Sequence, residues 1–503
     1  MYQISLEEAR ALLDSHNLLP ETAPAPSFRR ERPFTDLSYD SHAAGKDTLF
    51  FVKGRNFREA YLADAVERGL EVYVAETVFE VSPARAIVVS DVKKAMAVIG
   101  MRFYGDPQEK LMLIAFTGTK GKTTAAYFTK NILDYSTGKK TALVSTVDTT
   151  LDGVNYTKSR LTTPESLDLL NMMAQAVNNG MKRMIVEVSS QAYKTDRVYG
   201  IQFHVGVFLN ISPDHIGPVE HPSFEDYFSC KRLLLRNSAV VVINRDTDRF
   251  DLLLEDAAVP RAKKIYVYGK SKTQTHVYFE SSGDDALCFA VKPGDLGGLE
   301  DICGEYRLRL SGGFNKENAL AAAVAARLAG AAREDIVRGL ARTTVPGRME
   351  ILKGKNGSDV YVDYAHNKAS LEALLGVVKD ARKGRVIVVM GATGSKGQSR
   401  RTDIGHVLGG MADAAVLTSD DPGFEDPAAI AEEIRAAMAD PEKARIVVDR
   451  ESAIRCALSL VEDPDDAVVI AGKGADRFQI VNGVQMPYDG DIAIAEKIIA
   501  EKD

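Results

Sequence analysis

Short apolar runs recur along this chain, and each is followed by a polar or glycine-rich turn and then by apolar positions at helical spacing. Leu111–Phe116, Arg183–Val188 and Val205–Leu209 are three such runs. Strands that alternate with helices are typical of parallel sheets covered by helices on both faces. The pattern therefore predicts an α/β fold.

Three blocks with this pattern follow one another, and we predict three domains covering residues 1–107, 108–345 and 346–503. Glycine and proline interrupt regular structure at both boundaries, in Gly105-Asp106-Pro107 and in Pro346-Gly347-Arg348. The alternation in the last block predicts a doubly wound, Rossmann-like domain. Shorter alternating runs between residues 264 and 310 predict an antiparallel extension of the second domain's sheet.

Composition excludes several classes of protein. The 503 residues are 45% hydrophobic and 26% charged, as in soluble globular proteins, and a net charge of −7 argues against a dedicated nucleic-acid binder. Four scattered cysteines without metal-site spacing indicate reduced thiols in a cytoplasmic protein. No apolar run approaches the ~20 residues of a membrane span, and the N-terminus predicts an amphipathic helix rather than a signal peptide. We expect a monomer.

The loop after Phe116 has the residues of a polyphosphate-binding turn between a strand and a helix. Backbone N–H groups would face the anion, Lys122 would reach the outer phosphates, and the Thr123 hydroxyl would ligate Mg²⁺. The predicted ATP-binding residues of this loop are Gly118, Thr119, Lys120, Gly121, Lys122, Thr123 and Thr124. Phe116 replaces the first glycine of a complete Walker motif, so a glycine-rich turn without a nucleotide is the alternative interpretation.

Two further apolar runs end in side chains suited to a metal or a phosphate. Glu187 closes one run and His215 follows another, so both are expected at the edge where parallel sheets bind ligands. A carboxylate there suits Mg²⁺, and His215 could contact the metal or a phosphate. By residue type alone, Glu187 could also be a surface residue, His215 a structural histidine, and Lys231 a solvated charge on a helix.

Two other segments offer polar groups with an ordinary structural alternative. The turn Thr162-Thr163-Pro164 could contact an anion, or Thr163 could cap the following helix with Pro164 in its first position. Asp363 could hydrogen-bond a ribose and Arg348 could contact a nucleotide, although neither is specific in isolation.

Loops of the third block carry a cluster of acids. Asp420, Asp421 and Asp476 follow strand-like runs, and Arg400 and Arg401 belong to another loop. Several carboxylates in one crevice suit a cationic substrate. Helix capping is the alternative for the neighbouring residue 426.

The ordered set of motifs resembles the Mur ligases of peptidoglycan synthesis over nearly the whole chain. The set is TGTKGKTT, LTTPES, EVSSQA, NISPDH, SCKRLL, SGGFNKENALAA, VPGRME, DYAH, DDPGFEDP and GKGADRFQ. The resemblance implies an N-terminal UDP-binding domain, a central ATPase domain and a C-terminal Rossmann-like domain. It is strongest to the enzymes that add the third amino acid to UDP-N-acetylmuramoyl-L-alanyl-D-glutamate.

Residue roles follow from this resemblance. It implies catalytic roles for Lys122, Lys231, His215 and Glu187, with Lys231 matching a lysine that the family carbamylates. The implied Mg²⁺ ligands are Thr123, Glu187, His215 and the carbamate of Lys231. Further ATP contacts are implied for Asn315, Asn318, Arg348, Asp363 and His366. Contacts to the UDP-linked substrate are implied for Asp40, Ser41, Thr162, Thr163, Ser189 and Arg197.

The family mechanism requires ATP and Mg²⁺. A D-glutamyl carboxylate of the substrate attacks the γ-phosphate, and the amine of an amino acid then attacks the acyl phosphate. In enzymes that add meso-diaminopimelate, a D-N-P-R motif provides an arginine for the distal carboxylate. The matching residues here are Asp420-Asp421-Pro422-Gly423, so that arginine is absent. We therefore expect L-lysine as the substrate, with L-ornithine as the nearest competitor.

Two rival functions remain at this point. A folylpolyglutamate-synthetase-like ligase would share the core fold, but the N-terminal LSYDSH turn argues against it. A catalytically silent homologue acting as a partner subunit is disfavoured because Lys122, Glu187 and Lys231 are all present.

Overall fold

The computed structural model describes residues 2–20, 30–54, 57–81, 83–138, 140–214, 216–217, 220–258, 264–283, 285–394 and 398–501. The chain forms two compact units. The first unit comprises Met1–Glu280, Ala290–Gly304 and Glu317–Gly339, and the second comprises Ser281–Phe289, Glu305–Lys316 and Leu340–Asp503. The first unit thus contains the first predicted domain and most of the second.

A parallel sheet of four strands, in the order β1-β2-β3-β4, forms the N-terminal part of the first unit. Its elements are α1 (Leu6–Ser15), β1 (Asp36–Ser38), β2 (Thr48–Phe51), α2 (Glu59–Glu67), β3 (Val72–Ala75), β4 (Arg85–Val88) and α3 (Val92–Phe103). The predicted N-terminal helix is confirmed as α1, which begins where the Ser5 side chain accepts a hydrogen bond from the N–H of Glu8.

The largest sheet has eleven strands in the order β15-β14-β13-β12-β11-β10-β5-β9-β6-β7-β8. Its strands are β5 (Met112–Thr117), β6 (Thr141–Val144), β7 (Asp148–Thr150), β8 (Thr157–Lys158), β9 (Arg183–Glu187), β10 (Phe203–Phe208), β11 (Ser238–Asn244), β12 (Lys264–Gly269), β13 (Val277–Ser281), β14 (Cys288–Pro293) and β15 (Gly304–Arg307). The helices in this part of the chain are α4 (Lys122–Thr137), α5 (Ser166–Asn178), α6 (Ser190–Lys194), α7 (Phe224–Arg236), α8 (Phe250–Ala257), α9 (Gly313–Leu328) and α10 (Arg333–Arg342). The central strands pair in parallel, as the apolar runs predicted.

The predicted antiparallel extension is wrong for its first two strands. β12 pairs with β11 in parallel, and β13 pairs with the end of β12 in parallel. The helix α8 connects β11 to β12. It returns the chain to the end of the sheet at which β11 begins, so β12 runs in the same direction as β11.

The last part of the chain forms a six-stranded sheet in the order β16-β17-β21-β18-β19-β20, together with a two-stranded hairpin, β22-β23. Its strands are β16 (Glu350–Lys353), β17 (Asp359–Asp363), β18 (Val386–Met390), β19 (Ala414–Leu417), β20 (Ala444–Ile446), β21 (Ala467–Ala471), β22 (Phe478–Val481) and β23 (Val484–Pro487). Its helices are α11 (Lys368–Ala381), α12 (Gln398–Met411), α13 (Pro427–Ala436), α14 (Arg450–Ser459) and α15 (Asp491–Ala500). Among the described pairings of the six-stranded sheet, only that of β16 with β17 is antiparallel, which confirms the predicted doubly wound fold. No helix in the described part of the chain has the length and apolar character that crossing a membrane requires.

Candidate active site

The carboxyl ends of three neighbouring strands meet at one edge of the large sheet. In the parallel register, Phe116 of β5 pairs with Glu187 of β9, and Thr117 of β5 pairs with Phe208 of β10. Ligands of open α/β sheets bind outside the carboxyl ends of the strands. The sheet therefore places the glycine loop, Glu187 and the segment after β10 at one edge.

Two glycines give the loop its shape. Gly118 has φ 152° and Gly121 has φ 83°, a backbone conformation that other residues rarely adopt. A Cβ atom on Gly121 would lie 2.2 Å from Oδ1 of Asn318, so this side chain packs directly on the loop. Asn318 was predicted as an ATP contact, and it lies beside the other predicted ATP-binding residues of the first unit.

We expect Gly121→Ala to distort this loop, because the new methyl group meets Asn318 and because alanine at φ 83° is strained by about 1 kcal/mol or more. The expected result is a raised KM for ATP together with a lower melting temperature. Gly138→Ala is the matched control, since Gly138 also has positive φ (64°) but has open space around its Cβ position. A control that raised the KM for ATP equally would contradict the explanation.

Asn210 braces the loop from the end of β10. Its carbonyl accepts from the N–H of Thr119 at 3.0 Å, and its Oδ1 accepts from the N–H of Lys120 at 2.9 Å. Its Nδ2 donates to the carbonyl of Lys120 at 3.1 Å. Asn210 belongs to the NISPDH motif, but the motif alone indicates no role for it, because only the fold brings the two loops together.

Lys122 and Lys231 converge on one carbonyl group. The Nζ atom of each donates to the carbonyl oxygen of Gly118 at 2.8 Å. The Lys231 side chain is buried in α7, and this burial, together with the charge of Lys122, holds the pKa of Lys231 well below its usual value. A depressed pKa favours the neutral, nucleophilic form of the amine. Because its side chain is buried, Lys231 is not the solvated helical charge that its residue type alone allowed.

Glu187 is fully buried at the end of β9. Its Oε1 accepts from the N–H of Thr146 and its Oε2 accepts from the Thr146 hydroxyl, both at 2.9 Å. Both donating groups are neutral, and a buried carboxylate at this edge of the sheet fits a Mg²⁺ site. Thr123, in the first turn of α4, is also buried. His215 lies outside the described residues.

The turn around Thr163 is held by β9 and α6. The Thr163 hydroxyl donates to the carbonyl of Glu187 at 2.8 Å and lies 3.3 Å from the Ser189 hydroxyl. The alternative helix-cap interpretation of Thr163 is wrong, because the N-cap of α5 is Glu165, two residues later. The hydroxyl of Thr162 lies 3.1 Å from the Thr146 hydroxyl, which links this turn to the Glu187 carboxylate.

A second set of contacts joins this turn to the N-terminal sheet. Arg197 donates to the carbonyl of Thr163 at 2.9 Å and pairs with Glu165 at 3.0 Å. Glu165 also pairs with Lys53 at 2.5 Å, and Lys53 lies 4.2 Å above the Tyr39 ring. The predicted UDP-contacting residues directly follow this tyrosine in the turn after β1. There, the Oδ1 of Asp40 accepts from the N–H of residue 42, and the Ser41 carbonyl accepts from the Arg68 guanidinium.

Several predicted ATP-side residues belong to the second unit. Asp363 is buried, which raises the pKa of its carboxyl, and its two oxygens accept from the N–H groups of Met349 and Ala365, each at 2.8 Å. The Arg348 guanidinium lies 4.8 Å above the ring of Tyr364. Asp363 therefore braces the turn that presents Arg348. Asn315, also in this unit, donates to the carbonyl of residue 311 at 2.7 Å.

A lysine lies among the three predicted acids of the amino-acid site. Lys473 Nζ is 2.7 Å from Asp421 Oδ1 and 3.9 Å from oxygens of both Asp420 and Asp476. The acidic cluster predicted from the sequence is real, but Lys473 neutralises part of its charge. Burial raises the pKa of Asp420 to about 6, although nearby Arg450 and Lys473 favour its ionised form.

The two predicted arginines have different surroundings. Arg401 is buried and pairs with Glu425 at 2.8 Å and Glu433 at 2.9 Å, so its guanidinium is held within the fold. Arg400 lines a small cavity of about 20 Å³ with His366, Gly391, Ala392, Thr393 and Asp420. Asp426 caps α13 by accepting from the N–H of residue 428, as the alternative interpretation held.

Gly423 occupies the position at which the diaminopimelate motif has arginine. Its φ is 63°, its N–H donates to the carbonyl of Ile480 at 3.0 Å, and its carbonyl accepts from the N–H of Asn482 at 2.6 Å. The loop is thus paired to the β22-β23 hairpin through a residue whose conformation favours glycine.

Comparison with known proteins identifies the family. Residues 116–326 match the Mur ligase middle domain, and residues 347–474 match the Mur ligase glutamate ligase domain. A UDP-N-acetylmuramoyl-L-alanyl-D-glutamate--L-lysine ligase from Enterococcus faecalis is 54% identical over 510 residues, which cover 99% of this chain and 100% of that protein. The chain belongs to the Mur ligase family.

Further Mur ligases support this assignment. The enzyme of the same name from Streptococcus thermophilus is 52% identical over 467 residues, 93% of each chain. The solved structure of a UDP-N-acetylmuramoyl-L-alanyl-D-glutamate--2,6-diaminopimelate ligase is 26% identical, with a TM-score of 0.66 and 99% of each chain covered. The α/β architecture of this Mur ligase is thus that of its family.

Proposed function

We propose that this Mur ligase joins L-lysine to UDP-N-acetylmuramoyl-L-alanyl-D-glutamate with cleavage of ATP to ADP and phosphate. The observation that carries the proposal is the convergence of Lys122 and Lys231 on the Gly118 carbonyl of the phosphate loop. It occurs in a chain that is 54% identical to a lysine-adding ligase over nearly its full length.

In the proposed reaction, an oxygen of the D-glutamyl carboxylate attacks the γ-phosphorus of ATP and releases ADP, forming an acyl phosphate. The neutral amine of lysine then attacks the acyl carbon. The tetrahedral intermediate loses phosphate and the amine loses a proton, which leaves an amide bond. Lys122 would offset the negative charge on the transferring phosphoryl group.

Lys231 would act as a carbamate in this reaction. Its neutral amine would add to CO₂ and lose a proton, and the low pKa of Lys231 supports this step because a protonated amine has no lone pair for it. The carbamate would hold Mg²⁺ with Thr123, Glu187 and His215. When bound, Mg²⁺ would supply neutralisation of the phosphate charge.

The proposal also assigns residues to the UDP-linked substrate and to ATP. We assign Asp40, Ser41, Thr162, Thr163, Ser189 and Arg197 to the UDP-linked substrate and Asn315, Asn318, Arg348, Asp363 and His366 to ATP. The proposed domains are residues 1–107 for the UDP substrate, 108–345 for ATP and 346–503 for the amino acid. A cytoplasmic monomer is proposed, and the four cysteines, which form no disulfide, suit a reducing compartment.

The side chain of lysine would be recognised in the second unit. Asp420 and Asp476 offer carboxylates to its terminal ammonium, while Lys473 holds Asp421 at 2.7 Å. Gly423 provides no cation for the distal carboxylate of diaminopimelate, which would be left without a charged partner. A role of Arg400 in holding the α-carboxylate is part of this proposal, and Arg401 would support the site through Glu425.

The test is phosphate release from ATP in the presence of UDP-N-acetylmuramoyl-L-alanyl-D-glutamate, with L-lysine, L-ornithine or meso-diaminopimelate as the third substrate. Turnover with lysine well above that with the other two is expected. A preference for ornithine would show that the pocket suits a shorter side chain than that of lysine. A preference for diaminopimelate would refute our interpretation of Gly423. Activity only with a folate and glutamate would support the folylpolyglutamate-type rival.

We expect the KM for lysine to rise as the pH falls through about 6, because Asp420 has its pKa raised to about 6 by burial and loses its charge there. Asp420→Asn should raise the KM for lysine at neutral pH and remove the pH dependence of this KM. The pH dependence of the KM for ATP should be the same as in the wild type. A dependence that persisted in Asp420→Asn would assign it to another group.

Stability gives an independent check on Asp420. Its folded pKa lies above its ordinary value of 3.8, so the stabilisation it contributes is present at low pH and is lost as the pH rises through about 6. Asp420→Asn should therefore raise the melting temperature relative to the wild type at pH 8 more than at pH 4. An equal difference at both pH values would contradict the raised pKa.

A further inference from the structure

A buried hydrogen-bond chain lies between α6 and α7. The His221 side chain is fully buried, its Nδ1 is 2.6 Å from Asp226 Oδ2, and its Nε2 is 2.9 Å from the Ser190 hydroxyl. Lys194 Nζ lies 2.5 Å from the same Asp226 oxygen. Because an ionised carboxylate only accepts, the His221 ring donates from Nδ1, and when neutral it accepts from Ser190 at Nε2.

One end of this chain reaches the acyl-substrate side of the site. Ser190 is the first residue of α6, and Ser189 before it caps the helix by accepting from the N–H of Ala192. The N–H of Ser189 in turn donates to the hydroxyl of Thr163 at 3.0 Å. A movement of His221 would therefore be transmitted through Ser190 to two hydroxyls proposed to contact the UDP-linked substrate.

The other end reaches the phosphate loop. The His221 and Tyr227 rings pack edge to face with centroids 5.3 Å apart, and the Tyr227 hydroxyl donates to the Thr119 hydroxyl at 3.1 Å. The Nζ atom of Lys231 lies 4.8 Å from the centre of the same tyrosine ring. His221 is thus packed against a residue that touches both the loop and the proposed carbamate-forming lysine.

The same neighbourhood offers three metal-ligating groups, so a metal site is the competing interpretation. Donor atoms of His221, Asp226 and Cys230 lie within 4.8 Å of one another. The ammonium of Lys194 lies 2.5 Å from the Asp226 oxygen that His221 contacts, and its positive charge would repel a metal cation there. The contacts favour a hydrogen-bond chain over a metal centre.

We infer that His221 is a positioning residue, which sets the spacing between the acyl substrate and the phosphate loop through Ser190 on one side and Tyr227 on the other. The inference rests on the proposed ligase reaction, in which a carboxylate on one side must meet a γ-phosphate on the other. A displacement of about 1 Å at such a junction lowers rates by up to about 100-fold.

A double-mutant cycle tests the inference. Ser190→Ala and His221→Gln should each lower kcat about tenfold, with the KM for ATP unchanged. The double variant should be no slower than His221→Gln alone, because both substitutions break the same chain. Additive losses, or single variants with the kcat of the wild type, would overturn the inference.

The matched control is His276→Gln. His276 is also a hydrogen-bonded histidine of the first unit, whose Nδ1 accepts from the N–H of Val267 at 3.1 Å. This variant should lower the melting temperature as much as His221→Gln does, without lowering kcat. If His276→Gln lowered kcat equally, the effect of His221 would be one of general stability and the inference would fail.

Two measurements do not depend on ligase activity. In ¹⁵N-histidine NMR of the wild type, the His221 ring should be protonated at Nδ1 and unprotonated at Nε2, and Ser190→Ala should shift the Nε2 resonance. The opposite tautomer, or stoichiometric zinc that is lost in His221→Gln, would overturn the inference. Absence of ligation by the wild type would instead refute the proposed function, and the NMR result would then decide on the hydrogen-bond chain.

Discussion

Replacement of Lys231 by methionine is expected to lower kcat by about 100-fold or more, the size of effect that follows removal of one preorganised group that stabilises developing charge. Methionine fills a similar volume but cannot form a carbamate. Lys231→Arg should be equally inactive, because a guanidinium stays charged and does not add CO₂. The measurement is phosphate release under saturating substrates.

A control variant distinguishes loss of the carbamate from loss of a buried lysine as such. Lys130→Met is the control, since Lys130 is also buried in the first unit, where it pairs with Asp134 at 2.5 Å. Its kcat should stay close to that of the wild type. In addition, ¹³C-labelled CO₂ should give a carbamate signal that Lys231→Met lacks. Full activity of Lys231→Arg, or of wild type depleted of CO₂, would refute the carbamate.

Lys122→Met is expected to have the second largest effect, again a fall in kcat of about 100-fold or more. Lys122 leads α4 and its Nζ donates to the carbonyls of Gly118 at 2.8 Å and Thr119 at 3.3 Å, so the ammonium is held at the loop before any phosphate arrives. Steady-state assays with varied ATP separate kcat from KM.

The way in which kcat and KM change decides the role of Lys122. A charge that acts mainly in the transition state lowers kcat, whereas a charge that only binds ATP raises KM and leaves kcat unchanged. Lys122→Arg should retain part of the activity because it keeps the positive charge. Unlike Lys231→Met, Lys122→Met should still show the labelled carbamate. A variant with unchanged kcat would reduce Lys122 to a binding residue.

Much of the fold was predictable because the buried strands are short and strongly apolar. The run predicted at Leu111–Phe116 is β5, displaced by one residue to Met112–Thr117, and the run predicted at Arg183–Val188 is β9, which ends at Glu187. Strands with polar or short sequences were missed, such as β8 at the edge of the large sheet, whose two residues are both exposed. Strands are predicted from apolar residues and from the regular spacing of those residues along the chain. An exposed edge strand has few apolar residues and no such spacing.

The amino-acid sequence by itself determined the alternation of strands and helices, the phosphate loop and the order of the motifs, because these depend on neighbours along the chain. Tertiary structure decided the rest. It buried Lys231 against Gly118, gave Glu187 its partner Thr146, and brought Lys473 to the acidic loop. These contacts join residues far apart in the sequence, and the burial and opposing charges that set their chemistry exist only once the chain has folded.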